Sequence, residues 1–369
     1  LTNGFQLLDG DSYMNGPGVN YMYIAFAADP NTTTPSLANS FAAELYTGNG
    51  GTKTVTTGFK TDLVWLKSIT AAYPPYMADS VRGTLKVLRS SEQDAQSTGT
   101  GVSSFGSTSF DVTGGGENQS GGSYVSWNWK AGGIPSINTD GTLTSVVSAN
   151  QAAGFSVVQW IGNGTVGATV GHGLNAAPEL FITKNITATN LNWATYNVTI
   201  GNSARLTLNE SAAANTGRVE WNNTTPTSSV VTFSDHPCVN STGVNYIGYA
   251  FTSISNYSKV GTYSGSNGAS TKTITTGFEP GFLMIKRTDA SGGWRIFDGA
   301  RDPGSAPKEI NSSILANSSA PGYTASGSGN GYLFFSSTGF YFPSGGANSY
   351  SNPDINGNGT YIYLAIKEN

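Results

Sequence analysis

The sequence predicts an all-β protein made of tandem antiparallel β-sandwich repeats of jelly-roll or concanavalin A-like type. Three observations predict it. Glycine takes 48 of 369 positions and only 11% of residues are charged, against about 25% charged in an ordinary globular domain. Polarity therefore comes from Ser, Thr, Asn and Gly, while 37% hydrophobic and 11% aromatic residues supply material for packed cores. Second, apolar runs are short and bounded by turn residues, as at 63–67 (LVWLK), 180–184 (LFITK), 282–286 (FLMIK) and 360–367 (TYIYLAIK). Only 77–96 has weak helical spacing, and Gly83 interrupts it. Third, the chain repeats itself: 52–59 (TKTVTTGF) and 271–278 (TKTITTGF) stand in a gap-free offset of 219 that continues through Lys67/Lys286, Asp79/Asp298 and Arg82/Arg301.

Taken in order, residues 2–27 match the pattern of 338–366, so residues 1–30 read as the C-terminal half of a preceding copy. Repeat 1 is expected over 41–133, a Ser/Thr/Asn-rich linker over 134–153, repeat 2 over 154–255 and repeat 3 over 257–369. Each repeat opens with an aromatic and a glycine turn, at Tyr46–Gly48, Trp160–Gly162 and Tyr263–Gly265. Each closes with an aromatic strand, at 124–130, 246–252 and 361–367. The middle repeat is the most divergent, but Trp193 and Asn197 keep the spacing of Trp294 and Asp298. Half a sandwich leaves strands unpaired, so the N-terminus reads as a processed product or as strands donated to another subunit. The start at Leu1, with no basic stretch behind it, fits the first of these.

Composition narrows the function. A net charge of −4 argues against binding nucleic acid through phosphates. No apolar run reaches the roughly 18 residues that span a bilayer, so membrane insertion is not expected. The single cysteine, Cys238, excludes an internal disulfide and a cysteine-based zinc site. No catalytic residue is assigned and the chain is read as a non-enzyme. His172 occupies the repeat position of Thr57 and Thr276, which makes it a turn residue, and His236 lies elsewhere. The acids are scattered, with Glu92, Asp94 and Asp111 read as solvated loop charges and no paired-carboxylate cleft.

Three constellations remain. The matched pairs Asp79/Arg82 and Asp298/Arg301 are spaced to form structural ion pairs that brace a turn after a strand. Trp193 with Asn197 and Trp294 with Asp298 are the candidates for a carbohydrate-binding surface, whereas Trp65 and Trp160 read as core. Asp354, Asn356 and Asn358 fit the opening of a calcium loop, D-x-[DN]-x-[DN]-G, so calcium is the one cofactor considered. Position twelve of that loop is Ala365 and a strand follows, which favours a polar hairpin turn. About a dozen N-x-[ST] sequons, Asn163, Asn240 and Asn358 among them, are largely what an Asn/Ser/Thr-rich composition produces by chance.

The strings TTGF with LVWLK, DSVRG at 79–83, YVSWNWKAGG at 124–133 and TTGFEP with IKR at 285–287 resemble a family of repeat proteins from tailed bacteriophages of marine bacteria and cyanobacteria. The sections 170–184 and 138–150 are also typical of it, while Pro74-Pro75 replaces a customary aromatic and the first copy is truncated. The family is described as uncharacterised virion, tail or fibre-like proteins. The resemblance implies a structural protein on the virion surface, that is, extracellular, assembled as a homo-oligomer with other virion proteins and able to contact host-surface glycans. The alternative is a secreted, glycosylated fibre or adhesin that assembles by strand exchange.

Overall fold

A computed structural model describes residues 39–325, 332–345 and 351–367, together with Pro17 and Leu37. The half copy expected over 1–30 lies outside the described residues. Residues 34–369 form one compact unit, nearly all strand and turn, and the strand ladders are antiparallel.

Three sections of chain contribute one large sheet each. In the first, the order is Phe41–Thr47, Ser123–Trp129, Leu63–Ser68, Tyr76–Asp79, Lys86–Arg89, Ser97–Thr98. In the third it is Ser258–Ser264, Thr360–Lys367, Pro280–Arg287, Arg295–Asp298, Ser312–Leu315, Tyr323–Thr324. The second has the same six-strand run, from Phe155–Ile161 through Asn245–Phe251, Leu180–Asn185, Ala194–Asn197 and Ala204–Thr207 to Asn215–Thr216. Two more strands, Ser136–Asn138 and Ser145–Asn150, extend its edge. The linker expected over 134–153 is therefore corrected: alternation such as Val147 buried and Val146 exposed lets it join the sheet. The weak helical spacing of 77–96 likewise yields strands Tyr76–Asp79 and Lys86–Arg89, because turns at Gly83 and Leu85, both with positive φ, break the helical period.

The strand period of two places each large sheet between two cores. Val64 and Leu66 face the first section's own small sheet (Thr52–Thr56, Gly101–Phe105, Ser109–Thr113), while Leu63 and Trp65 face the other way. Leu283 and Ile285 against Phe282 and Met284, and Phe181 against Leu180 and Ile182, repeat the arrangement. The residues facing the other way from all three sections merge into a single central core. At its centre Trp129 of the first section lies 5.2 Å from Phe282 of the third and 6.2 Å from Phe251 of the second, ring centroid to centroid. A sheet buried on both faces explains why the central strands read as nearly unbroken apolar runs.

The three sections close head to tail, and the same backbone bond recurs at each boundary. Gln96 N donates to Ile186 O (3.1 Å), Ala214 N to Thr288 O (2.8 Å) and Gly322 N to Ile69 O (3.0 Å). A lysine bond recurs beside it: Lys184 Nζ to Gln93 O (3.0 Å), Lys286 Nζ to Ser211 O (3.1 Å) and Lys67 Nζ to Ser319 O (3.1 Å). The contact passes from the first section to the second, from the second to the third and from the third back to the first, so one chain carries the closed ring that separate subunits form in a cyclic trimer.

Candidate functional site

Each boundary is built around the turn that follows the fourth strand of a large sheet. In the first section Asp79 and Arg82 are both fully buried and paired at 2.5 Å, and Tyr249 of the second section donates its hydroxyl to Asp79 Oδ2 at 2.8 Å. In the third section Arg301 pairs with Asp298 at 2.7 Å, and Trp127 of the first section donates its indole N–H to Asp298 Oδ2 at 3.0 Å. Burial works against the Arg82 charge, yet Asp79 and Tyr249 beside it hold its pKa above the ordinary arginine value. In the second section Asn197 and Ile200 occupy the two positions, and Leu364 stands where Tyr249 and Trp127 donate.

These positions correct the expected carbohydrate surface. Trp193, Asn197 and Asp298 are 0% exposed and Trp294 is 1% exposed. The Trp193 indole donates to Arg89 O at 3.1 Å and the Trp294 indole to Thr207 O at 2.9 Å, each across a boundary. A strand that looks half exposed within one repeat is covered by the next section, which spacing within a repeat does not reveal. Pro75 holds the corresponding place in the first section, and there Ser90 Oγ donates to Ala316 O instead.

The calcium reading is corrected as well. Asp354 Oδ2 accepts from Arg295 Nε at 2.9 Å, and the carbonyl of Asn358 accepts from Arg287 Nη2 at 2.8 Å, so two guanidinium groups stand where a cation would need oxygen. Asn356 Oδ1 accepts from Ser266 N at 2.9 Å. The same clamp recurs at Asn118 on Asn49 N (3.0 Å) and Asn240 on Asn163 N (2.9 Å), where no calcium-like string exists. Among the described residues no group of three or more His, Cys, Asp or Glu side chains is placed to hold a metal.

A cleft of about 760 Å³ lies at the boundary of the third and first sections. Leu45, Ile69, Thr70 and Ser123 come from the first section, and Arg301, Ser312, Gly322 and Tyr323 from the third. The boundary of the first and second sections has a smaller cleft of about 360 Å³, lined by the matching residues Gln159, Ile186, Thr187, Asn245, Arg82, Lys86 and Gln96. Longer side chains fill it: Lys86 replaces Ser312, and Gln96 replaces Gly322. The larger cleft also runs past Glu44 and Lys53. Burial pushes the Glu44 carboxyl up from its ordinary value. Tyr323 is 41% and Leu45 49% exposed there. Sequence reasoning missed this cleft because its walls come from two sections of the chain, and because Gln96 and Gly322 fall outside the gap-free offset of 219 and are matched only by their backbone bonds.

A family model described as Domain of unknown function (DUF7483) matches residues 36–369. The chain belongs to that family. No curated protein and no solved structure matches it.

This DUF7483 domain also buries a charge cluster that the sequence did not signal. Glu220, fully buried, pairs with Arg205 Nη1 at 2.6 Å and Arg218 Nη2 at 2.7 Å, with His236 Nε2 3.6 Å away. Although burial opposes it, Arg218 and Arg205 hold the Glu220 carboxyl below its ordinary pKa. Burial depresses His236 and raises the nearby Cys238 thiol, which lies 3.9 Å from Arg205 Nη1. A thiol held protonated and 3% exposed is a packed core residue. His172 takes the turn role expected of it, with Nε2 3.2 Å from Thr227 O and Nδ1 accepting from Leu174 N. No helix among the described residues is long and apolar enough to cross a membrane.

Proposed function

We propose that this chain is a structural surface protein of a bacteriophage particle, a fibre, knob or capsid or tail appendage that works by binding and touches host-surface glycans. The observation that carries the reading is the closure of three sandwich sections around one core within a single chain. Such a body keeps its shape through apolar packing and buried backbone bonds, so salt screens little of its stability. Few charges and many Ser, Thr and Asn side chains suit it to an exterior surface. The sequence resemblance to virion proteins points the same way. Lys67, Lys184, Lys286, Asp79 and Asp298 are engaged in holding boundaries, which leaves recognition to the clefts and loops.

The test is location. Antibody raised against residues 34–369 labels purified particles of the phage that encodes the chain, seen by immunogold microscopy, and the protein stays with particles through density-gradient purification. Its absence from particles, with recovery as free secreted filaments carrying sugar at the sequons, would replace this reading with the secreted fibre.

A further inference from the structure

We propose that the cleft between the third and first sections binds a neutral saccharide through Arg301 and Tyr323. The inference deepens the glycan-contact part of the reading above and rests on it. It starts from one difference between two matching boundaries. Arg82 is completed on all sides: Nε on Asp79, Nη2 on Met77 O at 3.0 Å, and Nη1 on Gln96 Oε1 at 3.2 Å and Lys86 O at 3.5 Å. Arg301 has the same Nε bond to Asp298 and the same Nη2 bond to Ile296 O at 3.1 Å. Its Nη1 has no acceptor among the described residues, although the side chain is only 4% exposed. Gly322 sits at the position of Gln96, and the space that the glutamine side chain takes at one boundary is open cleft at the other.

A buried guanidinium N–H without an acceptor is costly, so a ligand oxygen at that point is favoured. The charge of Arg301 is already balanced by Asp298, and the group that serves Arg82 is an uncharged amide oxygen. Both facts select a neutral acceptor, such as a sugar hydroxyl or an acetamido carbonyl. Tyr323, next to Gly322, offers a partly exposed aromatic ring to the apolar face of a sugar. Thr70 and Ser123 of the first section and Ser312 of the third also line the cleft. A volume of about 760 Å³ falls in the usual range of ligand clefts, roughly 300–1,000 Å³.

Gly322→Gln restores the internal cap. A Cβ at Gly322 would meet Ile69 Cγ2 at 3.4 Å and Ile69 O at 3.5 Å, ordinary contact distances, so the change is sterically admitted. The probes are a tetramer of N-acetylglucosamine and a tetramer of glucose, read by saturation-transfer NMR, and an array of bacterial surface oligosaccharides. The expected result is binding of at least one neutral saccharide by the unaltered chain, weakened tenfold or more by Gly322→Gln and also by Tyr323→Ala, with both variants melting cooperatively. Tyr323→Ala decides the matter if Gly322→Gln fails to fold. Equal binding by all three proteins would remove the cleft while leaving glycan contact in place. Binding of acidic saccharides alone would overturn the neutral class. No binding to any probe or array member would overturn the inference, and particle location is decided separately by immunogold labelling.

Discussion

Two of the three boundaries hold a buried aspartate–arginine pair and one does not. Where the first and third sections carry Asp79–Arg82 and Asp298–Arg301, with Tyr249 and Trp127 donating to the carboxylates, the second section has Asn197 and Ile200, faced by Leu364. Acid, base and donor have changed together. The difference teaches that the three groups are one unit: a buried carboxylate is tolerable only with its guanidinium and its neutral donor, and where the arginine is lost the acid is an amide and the donor an apolar side chain. The neutral boundary is not free of cost, since Asn197 Nδ2 is buried without an acceptor. The ring still closes there, because the backbone bond from Ala214 N and the Lys286 bonds to Ser211, Arg287 and Gly292 carbonyls do not involve the exchanged positions.

The largest effect comes from splitting a charged unit. Asp79→Ala leaves Arg82 buried and unpaired and is expected to cost about 3–5 kcal/mol, read as a fall in the chemical-denaturation midpoint. Asn197→Asp, which puts a carboxylate at the neutral boundary without its partners, should cost a comparable amount. The triple change Asn197→Asp, Ile200→Arg, Leu364→Tyr should recover most of that loss. If the triple variant is no more stable than Asn197→Asp, the unit is not the reason for the covariation.

Removing only the neutral donor is milder. Tyr249→Phe deletes one hydrogen bond to a charged acceptor while keeping ring and packing, for an expected loss of about 1.5–3 kcal/mol. In the Asp79→Ala background the same change should cost much less, because the acceptor is gone. Equal losses in both backgrounds would show that the hydroxyl acts elsewhere.

The lysines shared by all three boundaries give a pH test. Burial lowers Lys67, Lys184 and Lys286 to about 8, against about 10.4 in an unfolded chain. Below pH 8 both states are protonated and the native state bears the full cost of burying the charge. Between 8 and about 10 the native state sheds protons that the unfolded chain keeps, so stability from these groups rises with pH. Above about 10 the sign reverses, because burial holds Tyr46, Tyr249 and Tyr263 protonated in the fold while unfolded tyrosines ionise. Melting temperature should therefore be higher at pH 9 than at pH 7 or pH 11. A monotonic fall from pH 7 would contradict the lysine contribution.

The all-β class was readable because strand signals are local: Leu63 to Leu66 alternates between two cores and says so in four residues. The ion pairs at Asp79 and Asp298 were readable because repetition at a fixed offset marks a position with a job. What could not be read was that the repeats face one another. Trp193 and Trp294 looked like surface aromatics because their covering carbonyls, at Arg89 and Thr207, belong to the neighbouring section, more than 80 residues away in sequence. The Asn356 string looked like half a calcium loop until Asn118 and Asn240 were found doing the same work in its absence.

The smallest effect is also the one that ties stability to recognition. Gly322→Gln should place an amide oxygen on Arg301 Nη1, as Gln96 does on Arg82, and remove one buried unsatisfied donor. The gain expected is about 1 kcal/mol, the usual net value of such a bond, less some side-chain entropy. Gln96→Gly makes the opposite change at the other boundary and should lose a similar amount while enlarging the smaller cleft. Thermal melts of the two single variants and the double variant separate the terms, because the sites are distinct and their effects should add. If Gly322→Gln stabilises and Gln96→Gly destabilises, the chain has given up stability at one of two matching boundaries, and an open cleft with an unsatisfied donor is what it holds there instead.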